Sequence, residues 1–153
     1  MDDNVKKVVI GSMKELFEKM FFIFLEPVAG SAADAFESAS DYYHAAIGYA
    51  VDAKETSVHF YLTEALAWRM AGNFMGIDIS SLDEGQVLDT LRETVNMAVG
   101  SLLGEINPEG TAVLGMPESG RVIDVLPEKL FDDPSFITFR TSSGVLCMTF
   151  DKL

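Results

Sequence analysis

YYHAAIGYAVDAKETSVHFYLTEALAWRM, residues 42–70, is the stretch on which the fold turns. Tyr42–Val51 and Ser57–Leu62 are rich in aromatic and β-branched residues, which suit the pleated, half-buried surface of a sheet. The segment between them, Asp52-Ala53-Lys54-Glu55-Thr56, reads as a turn, so the two runs form an antiparallel hairpin. Thr63 then precedes Glu64-Ala65-Leu66-Ala67-Trp68-Arg69-Met70, a helical run that ends near Gly72 or Gly76. Strand pairs interleaved with helices, without steady βαβ alternation, predict an α+β fold: a largely antiparallel sheet with long helices packed on one face.

Upstream, Met13, Leu16, Phe17, Met20, Phe21 and Phe24 recur at helical spacing, and Ser12 with Glu15 has the form of a capping box, which predicts a first helix over Ser12–Leu25. Glu26-Pro27 breaks it, and the Ala/Ser/Gly-rich segment to Ser40 reads as a loop with room for a helical turn within Asp34–Glu37. Downstream, the polar stretch Ser80–Gln86 leads into a helix over Val87–Leu103, stopped by Gly104 with Pro108 beyond. Strands are expected at Thr111–Met116, Arg121–Leu126, Ser135–Thr141 and Val145–Phe150, the last two as a hairpin. At 153 residues the chain suits one domain, residues 1–153.

Composition narrows the function. Hydrophobic residues make up 48% of the chain, with eleven Phe and eight Met, enough apolar surface for a packed core. A net charge of −13 repels phosphate backbones and anionic lipid, which disfavours nucleic acid and membrane partners. The single cysteine, Cys147, allows no internal disulfide and reads as a small buried hydrophobe. Met1-Asp2-Asp3-Asn4 does not open a secretory signal, and the longest purely apolar run, Met20–Leu25, is too short to span a bilayer, so a soluble cytoplasmic protein is expected.

The chemistry concentrates on the helix at Val87–Leu103. Each helical residue advances about 100°, so Asp89, Glu93, Asn96 and Gly100 share one narrow face. Val87, Leu91, Val95, Ala98 and Leu102 form a second stripe, roughly opposite, that must meet the core. Asp89, Glu93 and Asn96 therefore point to solvent or to a partner. Gly100 costs about 1 kcal/mol of helix propensity relative to Ala while removing bulk beside Asn96, which suggests a close approach there.

Asp89-x3-Glu93-x2-Asn96, followed after a spacer by Pro117, resembles the signature of the CheC/CheX/FliY chemotaxis phosphatases, and the chain is most similar to the CheX type. A bare Glu-x-x-Asn is common by chance; the preceding acid, the helical setting, the outward face and Pro117 together make it informative. The resemblance implies an internal pseudo-repeat with two equivalent long helices. Gly11-x3-Glu15-x2-Glu18 can be laid over the motif, but Glu18 stands where the amide belongs, and a carboxylate there would repel phosphoryl oxygens. One active site is expected.

The family further implies a phosphorylated CheY-like response regulator as substrate. The regulator would supply the aspartyl phosphate, a Lys and the Mg ion, and this chain no cofactor of its own. Asn96 would orient the attacking water and Glu93 would pair with the regulator's Lys, with Asp89 a helper at the rim. The same residues would equally suit the solvated side of an amphipathic helix, and a non-catalytic regulator-binding or flagellar-switch-like scaffold is the competing reading. Pro117 serves only as a motif marker.

Other candidate sites are weaker. His44 and His59 lack further ligands at metal-site spacing, Ser119-Gly120 and Ser142-Ser143-Gly144 lack the context of a nucleophile elbow or phosphate loop, and Asp132-Asp133 reads as loop charge. Relatives of the CheX type dimerise edge to edge, and the apolar alternation of Val145–Phe150 suggests an exposed edge strand for a homodimer.

Overall fold

The computed structural model describes residues 1–29, 41–122 and 136–152. Its central hairpin consists of β2, Tyr42–Val51, and β3, Lys54–Thr63, paired without interruption from Tyr42↔Thr63 to Val51↔Lys54. The expected five-residue turn shrinks to Asp52-Ala53, both with positive φ (50° and 63°). A two-residue turn with left-handed residues matches the natural strand twist, so pairing extends through Lys54–Thr56. Tyr43, Ala45 and Ile47 of β2 and Val58, Phe60 and Leu62 of β3 are buried on one face.

The remaining strands are β1 (Glu26–Val28), β4 (Val113–Leu114), β5 (Glu118–Val122), β6 (Ile137–Arg140) and β7 (Val145–Lys152). They extend the hairpin into a sheet of order β1-β6-β7-β3-β2-β4, with β5 also on β2, and every pairing is antiparallel. The expected β6–β7 hairpin is present, but Val145–Phe150 is no edge: β7 bonds β6 on one side and β3 on the other. Apolar alternation marks which faces are buried, not whether the backbone rows are paired. The outer strands are β1, where Pro27 withholds an N–H at little cost, and β4/β5. Glu26-Pro27 thus begins a short strand; residues 30–40, with the helical turn expected at Asp34–Glu37, lie outside the described residues, as do residues 123–135.

Three helices are present among the described residues: α1 (Asp3–Phe21), α2 (Glu64–Met75) and α3 (Glu84–Ile106). The first begins nine residues before the expected Ser12, because Asp2 caps it by accepting from the Asn4 N–H at 2.8 Å. Ser12 is instead a buried mid-helix residue whose Oγ lies 3.4 Å from Ser101 Oγ of α3. Phe22 ends the helix in the left-handed conformation, so Phe24 falls outside it and is exposed. Thr63 and Gly76 bound α2 as expected, with Gly76 at φ 68°.

The topology is a repeat. A long helix, a short strand and a hairpin occur as α1, β1, β2/β3 and again as α3, β4/β5, β6/β7, and each short strand joins the hairpin of the other half. Val9, Met13, Phe17 and Phe21 of α1, Leu66 and Met70 of α2 and the buried stripe of α3 close one core over the sheet. Burying each of the larger side chains stabilises by roughly 1.5–3 kcal/mol. On β7, Cys147 is fully buried, 3.2 Å from Thr138 Oγ1, and burial pushes its thiol up to about 12.

Candidate functional site

α3 starts three residues earlier than expected because Asp83 and Gln86 form a reciprocal capping box: Asp83 Oδ1 accepts from the Gln86 N–H at 2.8 Å, and Gln86 Oε1 from the Asp83 N–H at 2.9 Å. The helix then runs through Gly104 to Ile106. Its start is tied to the sheet by Arg121 of β5, which donates to Glu84 at 3.0 Å and to Glu64 of α2 at 2.7 Å. Tyr43, beneath the Arg121 guanidinium, donates its hydroxyl to Glu84 at 3.0 Å and accepts from Trp68 Nε1 at 3.2 Å. α3 is thus a fixed rod.

Val87, Leu91, Val95, Ala98 and Leu102 are buried, as the sequence spacing requires. On the other side Asp89 and Glu93 are exposed, while Asn96 and Gly100 are half-buried. Among the described residues, the side chains of Glu93 and Asn96 enter no hydrogen bond or ion pair. Asp89 differs: it pairs with Arg92, whose Nη1 donates to Ser119 Oγ of β5 at 2.9 Å. Ser119 donates in turn to the Leu88 carbonyl at 2.9 Å.

A Cβ on Gly100 would lie 3.8 Å from Leu114 Cδ1, ordinary contact distance, so the group that comes near Gly100 within this chain is the β4 side chain. Gly100, Gly104, Pro108 and Leu114 line a cleft of ≈ 300 Å³ at that end of the helix. Pro117, half-buried, stands at the break between β4 and β5.

Residues 43–151 match the profile of a family described as Chemotaxis phosphatase CheX. The chain belongs to this family. Solved structures share its fold. A CheC-like superfamily protein from Shewanella sp. PV-4 superposes with a TM-score of 0.74 at 16% identity, covering 99% of this chain and 98% of that one. Chemotaxis protein CheX from Vibrio vulnificus gives 0.71 at 17% identity, with 96% of each chain covered. A chain of the CheX-CheY-BeF3-Mg2+ complex from Borrelia burgdorferi gives 0.68 at 14% identity over 95% of each. Comparison with the curated proteins found no match.

In this CheX-family chain the position on α1 that aligns with the α3 motif looks different. Glu15 is bonded to Lys19 at 2.5 Å, and that ammonium holds the Glu15 carboxyl below its ordinary value. Glu18, one position before Lys19, is exposed.

Sequence reasoning missed Arg92 and Ser119. Asp89-x2-Arg92 is a readable i, i+3 charge pair on a helix, whereas Ser119 reaches it only because β5 docks on β2 beneath α3. The two histidines, distant in sequence, meet diagonally across β2 and β3: His44 Nε2 lies 2.8 Å from His59 Nδ1, and Ser57 Oγ lies 2.9 Å from His59 Nε2. Among the described residues no group of three His, Cys, Asp or Glu side chains could hold a metal ion, and no helix is long and apolar enough to cross a membrane.

Proposed function

We propose that this chain is a cytoplasmic phosphatase that hydrolyses the aspartyl phosphate of a CheY-like response regulator, with Glu93 and Asn96 as its catalytic residues. The observation that carries the reading is a pair of side chains without a partner among the described residues, a carboxylate and an amide one helical turn apart, on the outward face of α3 in a member of a chemotaxis phosphatase family. The Borrelia CheX complex contains a CheY with BeF3 and Mg2+, which supports a receiver domain as the partner here.

An acyl phosphate is already reactive, so placing a water in line and screening charge can supply the acceleration without a protein nucleophile. Asn96 has the chemistry to place the water, since its neutral amide both donates and accepts and can approach phosphoryl oxygens without repulsion. Glu93 pairs with the regulator's Lys, a charge-assisted contact that strengthens as the interface excludes water and that fixes how far α3 enters. Asp89 lies at the rim of this contact and Gly100 keeps its far side low. The regulator brings the Mg ion. The burial of the opposite stripe of α3 gives the two residues a rigid mount, since rotating the helix would expose Leu91 and Val95. Self-association through the outer strands β1 and β4/β5 belongs to the same proposal, and a monomer in sedimentation at micromolar concentration would remove it.

The test is phosphate release from a phosphorylated receiver domain. Wild type accelerates release, Asn96→Ala lowers it about 100-fold and Glu93→Ala at least about 10-fold, all three with the same thermal midpoint. Equal decay in every sample would leave a regulator-binding module without turnover.

A further inference from the structure

Arg92 is the sole basic residue of α3, which carries Glu84, Asp89, Glu93 and Glu105. It stands one turn before Asn96 on the same side, between the two acids of the outward face. Solvent reaches both members of the Asp89–Arg92 pair, with 72% of the Asp89 side chain and 37% of the Arg92 side chain exposed. Exposed pairs of this kind contribute little to folding. Yet Arg92 is restrained beyond its pair. One guanidinium nitrogen binds Asp89 and another donates to Ser119, whose own hydroxyl proton is committed to the Leu88 carbonyl, so its oxygen is left to accept. A flexible cation has been converted into a fixed one.

We infer that Arg92 is a positioning residue that cancels the charge of Asp89 so that the Glu93–Asn96 face can receive an anionic acyl phosphate. The inference rests on the phosphatase reading of that face. Without Arg92, Asp89 and Glu93 would present two uncompensated carboxylates within about two turns of Asn96, in a chain already at −13. The repulsion would fall on encounter, because fields of this kind govern association more than the chemical step. Ser119 keeps the guanidinium on Asp89 and off Glu93, leaving Glu93 for the regulator's Lys.

The experiment compares wild type, Arg92→Gln, Asp89→Asn and the double variant in phosphate release, and by titration with a receiver domain loaded with BeF3 and Mg2+. Arg92→Gln is expected to raise KM and Kd about 3–10-fold, with kcat within about twofold and the deficit shrinking as salt rises. The double variant, which removes both charges, lowers KM and Kd at least about twofold from those of Arg92→Gln. A tether role would show the reverse, with the double variant as weak as Arg92→Gln, and would overturn the inference, as would an unchanged KM and Kd in Arg92→Gln. Wild type that binds without hydrolysing defeats the phosphatase reading alone, since the Kd series still judges Arg92. Wild type that does neither defeats both.

Discussion

The two halves of the molecule have the same architecture but differ in which outward side chains are engaged. In each, a long helix packs on the sheet and a short strand crosses to the other half's hairpin. On α1 the outward carboxylate Glu15 is engaged by Lys19, and Glu18 occupies the aligned amide position. On α3 the corresponding Glu93 and Asn96 have no partner among the described residues, while the neighbouring acid Asp89 is the one engaged. A duplicated backbone therefore offers two equivalent mounts. On the proposed function, access of a phosphoryl anion to a mount would depend on one amide and on which acid the nearby cation occupies.

The two hairpin turns also diverge. The first uses Asp52 and Ala53, both left-handed. The second runs through Ser142-Ser143-Gly144, with Thr141 Oγ1 accepting from the Ser143 and Gly144 N–H groups at 3.0 Å each. Gly144, at φ 149°, lies so close to the start of α2 that a Cβ would collide with Thr63 Oγ1 and fall 3.2 Å from Leu66 Cβ.

Exchanging features between the halves tests this contrast. Asn96→Asp, which gives α3 the kind of acid that α1 carries, should lower phosphate release about 100-fold at an unchanged melting temperature; activity within twofold would mean that the difference between the helices is irrelevant to turnover. Gly144→Ala should destabilise by roughly 3 kcal/mol in denaturant titration, from overpacking and an unfavourable φ, and a loss under about 0.5 kcal/mol would refute the tight contact with Thr63. Ala53→Gly, in the other turn, should stabilise by about 0.5–1 kcal/mol, because glycine adopts positive φ without penalty; destabilisation would argue against the left-handed turn. The smallest effect is expected of Glu18→Asn in the Asn96→Ala background: no recovery of phosphate release, since Glu15 stays bound to Lys19. Measurable recovery would show α1 to be a second working mount.

Much of this was legible in the chain. The buried stripe from Val87 to Leu102 follows from helical periodicity, because only that face can leave water without stranding charge. The β2/β3 hairpin and the start of α2 after Thr63 were also readable in residue type, while its end was left between Gly72 and Gly76. Misreadings occurred where a local pattern had two solutions. Ser12 and Glu15 imitate a capping box, but Asp2 begins α1 and the apolar series already includes Val5 and Val9. Asp83-x2-Gln86 is a real one, hidden in a stretch that looked merely polar. Val145–Phe150 has the alternation of an exposed edge and is an interior strand, since side chains report on faces and strand neighbours are chosen by backbone pairing.

The sequence by itself determined the α+β class, the register of side chains on each element, and the outward stripe holding Asp89, Glu93 and Asn96, because periodicity and charge act within a single helix or strand. Only the tertiary structure decided which strands became interior, that Ser119 reaches Arg92, that Ser12 meets Ser101, and that His44 touches His59. Those outcomes depend on pairings between residues far apart in the chain, whose mutual distance no local pattern encodes until the sheet closes and the helices settle on it.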